Sequence, residues 1–178
     1  GRFLGRRYRD AGIIWILGGD SNVRSANERS IIDAMAKGIA EGDGGRNLVT
    51  FHPRGPGLSS DQVGNAPWLD FYMNQSSHAA RDLDTGLYVE NDLALRPRRP
   101  VIDGEPRYEG IPVGFYNRGH DPRLRFDDDD VRQAAWWSVM AGAAGHTYGN
   151  NNVWQMWAPG REPAIGAKPA LVPSSAAE

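Results

Sequence analysis

Short apolar runs alternate with helical periodicities along most of the chain. Ile13 to Leu17 is a continuous apolar run closed by Gly18, Gly19 and Asp20. Its β-branched and aromatic content predicts a strand buried on both faces. Ile31, Ile32, Met35 and Ile39 then recur at helical spacing, until the glycine-rich stretch 42–45 stops the pattern. A second buried strand is expected at Leu48 to Phe51, ended by His52 and Pro53, and a third at Asp70 to Gln75. A helical stretch from Ala79 to Leu95 follows, which Pro97 and Pro100 prevent from continuing. Pro100 to Gly104 reads as a brief strand running into Glu105. Asp127 to Asp130 then precede the helical positions Val131, Ala134, Ala135, Val139, Met140 and Ala143. A last short strand is expected around His146 to Tyr148. Past Trp157 the sequence is rich in Pro, Ala and Gly and weakly periodic. Strand and helix alternate four times, with one further strand, which implies an α/β fold with a parallel sheet covered by helices.

Composition narrows this reading. The 178 residues suit one domain. A hydrophobic share of 40% with 24% charged residues excludes a disordered chain. Lys and Arg number 20 against 22 Asp and Glu, so charge gives no reason to expect a nucleic acid or an anionic membrane as partner. No window approaches the ~18 consecutive apolar residues of a membrane span. The absence of cysteine excludes a disulfide framework and thiolate zinc sites. The chain opens Gly-Arg-Phe-Leu, without initiator Met or signal-like stretch and as though already inside a helix, so it is expected to be a segment of a longer protein.

In parallel α/β folds ligands bind beyond the carboxyl ends of the strands. Each predicted strand ends by delivering polar groups: Asp20 and Asn22; His52; Gln75, Ser76 and His78; Asp103 and Glu105; then His146, Tyr148, Asn150 and Asn151. Parallel strands would gather these on one rim. Asp20 and Glu105 both follow glycine, where the backbone can turn and present a side chain. Two carboxylates facing each other across an opening suit acid/base or nucleophilic chemistry on a glycosidic bond. The alternatives are that Asp20 caps the following helix, in competition with Asn22 and Ser25, and that Glu105 pairs with Arg107 or Arg99. Glu109 is a rival carboxylate further out.

His52, His78 and His146 stand at three strand ends. They suit metal ligation, or else hydrogen bonding to sugar hydroxyls and support of the carboxylates. No His-x-His or His-Glu-x-x-His spacing exists, so no metal or other cofactor is expected. Trp154 and Trp157 flank Gln155 on the same rim and offer faces for sugar rings; equally, they could simply cover the end of the fold. Trp136 and Trp137 lie mid-helix and are expected to pack.

Several motifs together resemble a known family. They are Ile14 to Asp20, Phe51-His52-Pro53, Val101 to Glu109, Asp130-Val131-Arg132, and Ala141 to Asn150. In this order they are similar to the apiosidase-like glycoside hydrolases, family-140-type enzymes built on a (β/α)8 TIM barrel. The likeness extends to about Trp157 and leaves 158–178 unassigned. It implies retaining hydrolysis of glycosidic bonds in plant polysaccharides, with apiose-containing side chains of pectin as substrate type. By motif, Asp20 matches the general acid/base after strand four and Glu105 the nucleophile after strand seven. The chain then corresponds to strands four to eight of the barrel with their helices, the first three βα units having no counterpart. His52, Gln75, His78, His146, Tyr148, Asn150 and Trp154 are the expected sugar-binding residues.

Two other readings remain at this stage. One is a metal-dependent barrel hydrolase with His52 and His78 as ligands. The other is a non-catalytic carbohydrate-binding remnant, because the first three units are absent. A secreted or periplasmic location would suit the full-length protein. An open five-stranded segment is also expected to expose strand edges and self-associate.

Overall fold

The computed structural model describes residues 1–164. In chain order the elements are α1 (Arg2–Arg7), β1 (Trp15–Gly18), α2 (Ala26–Asp43), β2 (Val49–His52), β3 (Gly57–Leu58), α3 (Ser59–Val63), β4 (Tyr72–Gln75) and α4 (Thr85–Leu93). They continue with β5 (Val101–Asp103), β6 (Tyr108–Glu109), α5 (Asp128–Met140), β7 (Gly145–His146), β8 (Gly149–Asn150) and α6 (Asn151–Trp154).

β1 and β2 form one parallel pair, and β4, β5 and β7 a second parallel set with the short β3 antiparallel on the side of β4 away from β5. β1 pairs with β2 from Trp15 opposite Val49 to Gly18 opposite His52. β4 pairs with β5, and β5 with β7, so Asn74, Asp103 and His146 stand in one row. Between β2 and β4 the Asp70 N–H donates to the Val49 carbonyl at 2.9 Å, and the Thr50 hydroxyl to the Phe71 carbonyl at 2.7 Å. Neighbours in sequence that are neighbours in space, each joined by a helical crossover, make a singly wound parallel arc. This is the mixed α/β architecture of part of a barrel.

The helices cover one face of that arc. α2 starts where Ser25 Oγ accepts the Glu28 N–H at 3.2 Å and ends at Gly44, whose φ of 74° lies in the left-handed region that favours glycine. α5 carries a capping box: Asp127 and Asp130 each accept the other's N–H at 3.0 Å. Leu17, Ile39, Val49, Phe51, Leu69, Tyr72, Val89 and Val101 form the main core. Ile111 and Phe126 close a second cluster with Tyr108, Val113 and Phe115, which gives the long excursion after β6 an apolar centre of its own.

Three expectations are corrected. The helix expected from Ala79 begins at Thr85, because the Asp84 side chain accepts the Gly86 N–H at 2.9 Å and starts the helix there. The last strand of the row is Gly145–His146; Tyr148 precedes the separate strand β8, which pairs with β6. β1 is not buried on both faces: Ile14 and Ile16 are 50% and 52% exposed. Among the described residues β1 pairs only with β2, so nothing covers its other side. The helical start of the chain is α1. Pro169 and Pro173, where the sequence lacks an eighth-helix pattern, lie outside the described residues. Among the described residues no helix is long and apolar enough to cross a membrane.

The open side carries a testable consequence. Phe3, Leu4, Ile14, Ile16, Ile31 and Met35 are exposed apolar side chains near an unpaired strand edge. The chain expressed alone is expected to elute as dimers or larger species in multi-angle light scattering at micromolar concentration. A monodisperse monomer with one cooperative melting transition would refute this.

Candidate active site

The strand ends place the polar groups. The β1–β2 register sets Gly18 beside His52, and the chain then turns through Gly18 and Gly19, at φ 83° and 107°, into Asp20 at φ 52°. Asp is one of the few side chains that visits this left-handed region readily. Its backbone N–H donates to His52 Nδ1 at 3.3 Å. At β5 the chain turns through Gly104, whose N–H and that of Glu105 both reach the Asn74 carbonyl, at 2.8 and 3.3 Å. A Cβ at Gly104 would stand 2.6 Å from the Met73 side chain, so any larger residue here would have to displace Met73.

Glu105 lies between two imidazoles. Its Oε2 is 3.0 Å from His52 Nε2 and its Oε1 3.3 Å from His78 Nε2. Because His52 Nδ1 accepts the Asp20 N–H, the proton of the neutral ring sits on Nε2, which donates to Glu105. The His78 ring lies 4.5 Å from the Tyr108 ring and 6.0 Å from that of Phe115. Burial pushes the Glu105 carboxyl up, but the hydrogen bonds and charge of His52 and His78 outweigh it and hold it at about 2. Burial alone would lower His52; hydrogen bonding and the negative charge of Glu105, with a smaller contribution from Asp20, raise it. Burial, then the charge and hydrogen bond of Glu105, raise the Tyr108 hydroxyl, which stays protonated.

Asp20 and Glu105 line one cleft of about 360 Å³, together with Arg54, Gln75, His78 and Tyr116. Its volume suits a sugar ring. Of the residues expected from sequence, Asp20, His52, Gln75, His78 and Glu105 therefore come together. His146 does not: its Nδ1 faces Asp103 Oδ2 at 3.9 Å, in the row that turns toward the helices, and it is not among the residues lining the cleft. Tyr148, Asn150 and Trp154 form a second group. The Tyr148 hydroxyl donates to Glu109 Oε2 at 2.6 Å, and Asn150 Oδ1 caps α6 by accepting the Asn152 and Val153 N–H groups. The Trp154 ring lies 6.4 Å from that of Tyr108, which joins this group to Glu105.

Ser25, not Asp20, caps α2. Arg107 is buried and turns from Glu105, donating to the Leu83 and Asp130 carbonyls and to Gln133 Oε1. His52 and His78 direct their Nε2 atoms at Glu105, and among the described residues no cluster of three or more His, Asp or Glu side chains is arranged to hold a metal. Tyr108, Arg54 and Tyr116 were not anticipated; spacing after a strand end carries no sign that these side chains fold back over the rim.

The arrangement is a pair of carboxylates in one cleft, one of them held between two imidazoles. A family model described as "Apiosidase-like, catalytic domain" matches residues 1–172. The chain belongs to that family. This apiosidase-like chain is also similar to two solved structures. One, described as a glycoside hydrolase, is 42% identical with a TM-score of 0.82 over 94% of this chain and 40% of the other. The second, described as a glycoside hydrolase family 5 protein from Bacteroides vulgatus, is 41% identical with a TM-score of 0.82 over 93% of this chain and 37% of the other. The apiosidase-like chain thus spans about two fifths of the length of these structures. No curated protein matches it.

Proposed function

We propose that the protein carrying this chain is a retaining glycoside hydrolase acting on side chains of plant cell-wall polysaccharides, with apiose-containing pectin as substrate type. The chain would supply strands four to eight of the barrel. The observation behind this reading is the ionised Glu105, held by two imidazoles, in the same cleft as Asp20. Glu105 attacks the anomeric carbon as Asp20 gives its proton to the departing glycosidic oxygen; a glycosyl ester on Glu105 results. Asp20 then takes a proton from water, the water oxygen bonds to the anomeric carbon, and the ester bond to Glu105 breaks. Two inversions give net retention. Proton NMR of the first-formed anomer tests it: retention is expected, whereas inversion would make Glu105 a general base and overturn this mechanism.

Arg54 gives a handle on the substrate. It lines the cleft, and among the described residues no carboxylate pairs with its guanidinium. A uronate beside the scissile bond would supply that partner. Arg54→Ala is expected to raise KM about tenfold for a uronate-bearing substrate and to leave a neutral analogue nearly unaffected. Equal effects on both would remove charge recognition from Arg54.

The same charge arrangement predicts acid sensitivity. Glu105 folds at about 2, below ~4.3 for an unperturbed Glu, so its ionised form stabilises the fold above that unfolded value and the contribution disappears as pH falls through about 2. His52, raised, has the opposite sign: its contribution is complete below its unfolded value and is lost as pH rises through the folded one. Between pH 5 and 2 the parent should lose up to about 3 kcal/mol more unfolding free energy than Glu105→Gln. Parallel curves from denaturant titrations would contradict this.

A further inference from the structure

We propose that Asp103 is the positioning residue of this site, a buried clasp behind the sheet that ties the end of β4 to the end of β5 and so fixes His78 against Glu105. Asp103 lines no part of the cleft and is completely buried. Its Oδ2 accepts from Ser76 Oγ at 2.8 Å and from Ser138 Oγ at 3.1 Å. Ser138 belongs to α5 and stands 3.1 Å from the hydroxyl of Thr85 in α4, which donates to the Ala134 carbonyl at 2.9 Å, so the clasp abuts both covering helices.

The spacing makes this a clasp for the catalytic pair. Ser76 stands two residues before His78, and Asp103 two residues before Glu105. The Asp103–Ser76 bond therefore lies two residues before the His78–Glu105 contact on both strand ends, buried where that contact is open to the cleft. Between them the Ser77 N–H donates to the Glu105 carbonyl at 3.0 Å. Ser77 has φ 78°, a left-handed conformation that costs a non-glycine residue and persists only where its surroundings hold it. Its hydroxyl also meets the Tyr116 hydroxyl at 3.0 Å, linking the clasp to the cleft wall. Two strand ends can be joined by neutral groups at lower cost than by a buried carboxylate. Burial pushes Asp103 up to about 6 even though Ser76 and Ser138 oppose it. A costly group at this point is accounted for by the geometry it imposes.

The proposal rests on reading Glu105 as the nucleophile, yet its main test needs no turnover. Carbon-13 NMR of the Glu105 carboxyl follows its titration in the parent, in Asp103→Asn and in Ser76→Ala. The loosened His78 contact should raise the Glu105 midpoint by about half a unit or more in both variants. The kcat should fall about tenfold while KM stays within about threefold. An unchanged midpoint in the folded variants would overturn the positioning role, and if Asp103→Asn does not fold, Ser76→Ala decides alone. Glu105→Gln, assayed beside them, separates the two ideas. Turnover that survives in Glu105→Gln removes the nucleophile assignment, whereas a dead Glu105→Gln with fully active, unshifted Asp103 and Ser76 variants removes only the clasp.

Discussion

Glu105→Gln is expected to lower kcat by about 10⁴-fold or more, with the fold retained. An amide of the same shape fills the space between His52 and His78 but has one acceptor oxygen and no charge. It cannot form the glycosyl ester, and its NH2 is accepted only if His78 shifts its proton from Nε2 to Nδ1, since Nε2 of His52 carries a proton. That rearrangement makes a loss of stability the rival explanation for inactivity, so the melting temperature must be measured alongside the rate. A second variant isolates the chemistry. Glu105→Gly opens the face from which the carboxylate attacks, and azide added to that cavity should restore turnover by a single displacement. The product would be a glycosyl azide of inverted configuration, identified by NMR. A Glu105→Gln protein that hydrolyses at the parent rate, or rescue with retained configuration, would displace Glu105 from this role.

That residue and its partner were legible in the sequence because strand and rim are coupled. A parallel arc puts the carboxyl ends of its strands on one side, so an apolar run that stops at glycine and acid locates the acid as well as the strand. Asp20, His52, Gln75, His78 and Glu105 follow this logic and share the site. His146 follows the same rule and still misses the cleft. Its direction depends on register: in one row with Asn74 and Asp103 it faces the helix layer, and a one-residue difference in strand end reverses that. β3, β6 and β8, of two residues each, are too short to show any period. Tyr108 and Tyr116 reach the site through an excursion whose apolar cluster of Ile111 and Phe126 forms from residues far apart in sequence. The exposure of Ile14 and Ile16 has a different origin. Their sequence is that of a strand with neighbours on both sides, and within the described residues one of those sides is empty.

Asp20→Asn provides the second large effect, with a signature that Glu105 variants cannot share. Asn tolerates the left-handed backbone at φ 52°, so the N–H that fixes the His52 tautomer stays in place. What disappears is a proton that can be given and taken. For natural glycosides kcat/KM should fall about 10²–10⁴-fold, the range general acid catalysis commands. An aryl glycoside whose phenolate leaves unaided should recover much of the first step, since it needs no proton. The second step still lacks its base, so the glycosyl ester on Glu105 should accumulate and show a burst of phenolate followed by slow turnover. Azide, which requires no deprotonation, should accelerate that slow phase and give a product of retained configuration, the mirror of the Glu105→Gly outcome. If Asp20→Asn slows natural and activated substrates equally and shows no burst, Asp20 is not the acid/base. The proton would then have to come from another residue on the rim, the half-buried His52 being the one whose ionisation Glu105 already raises.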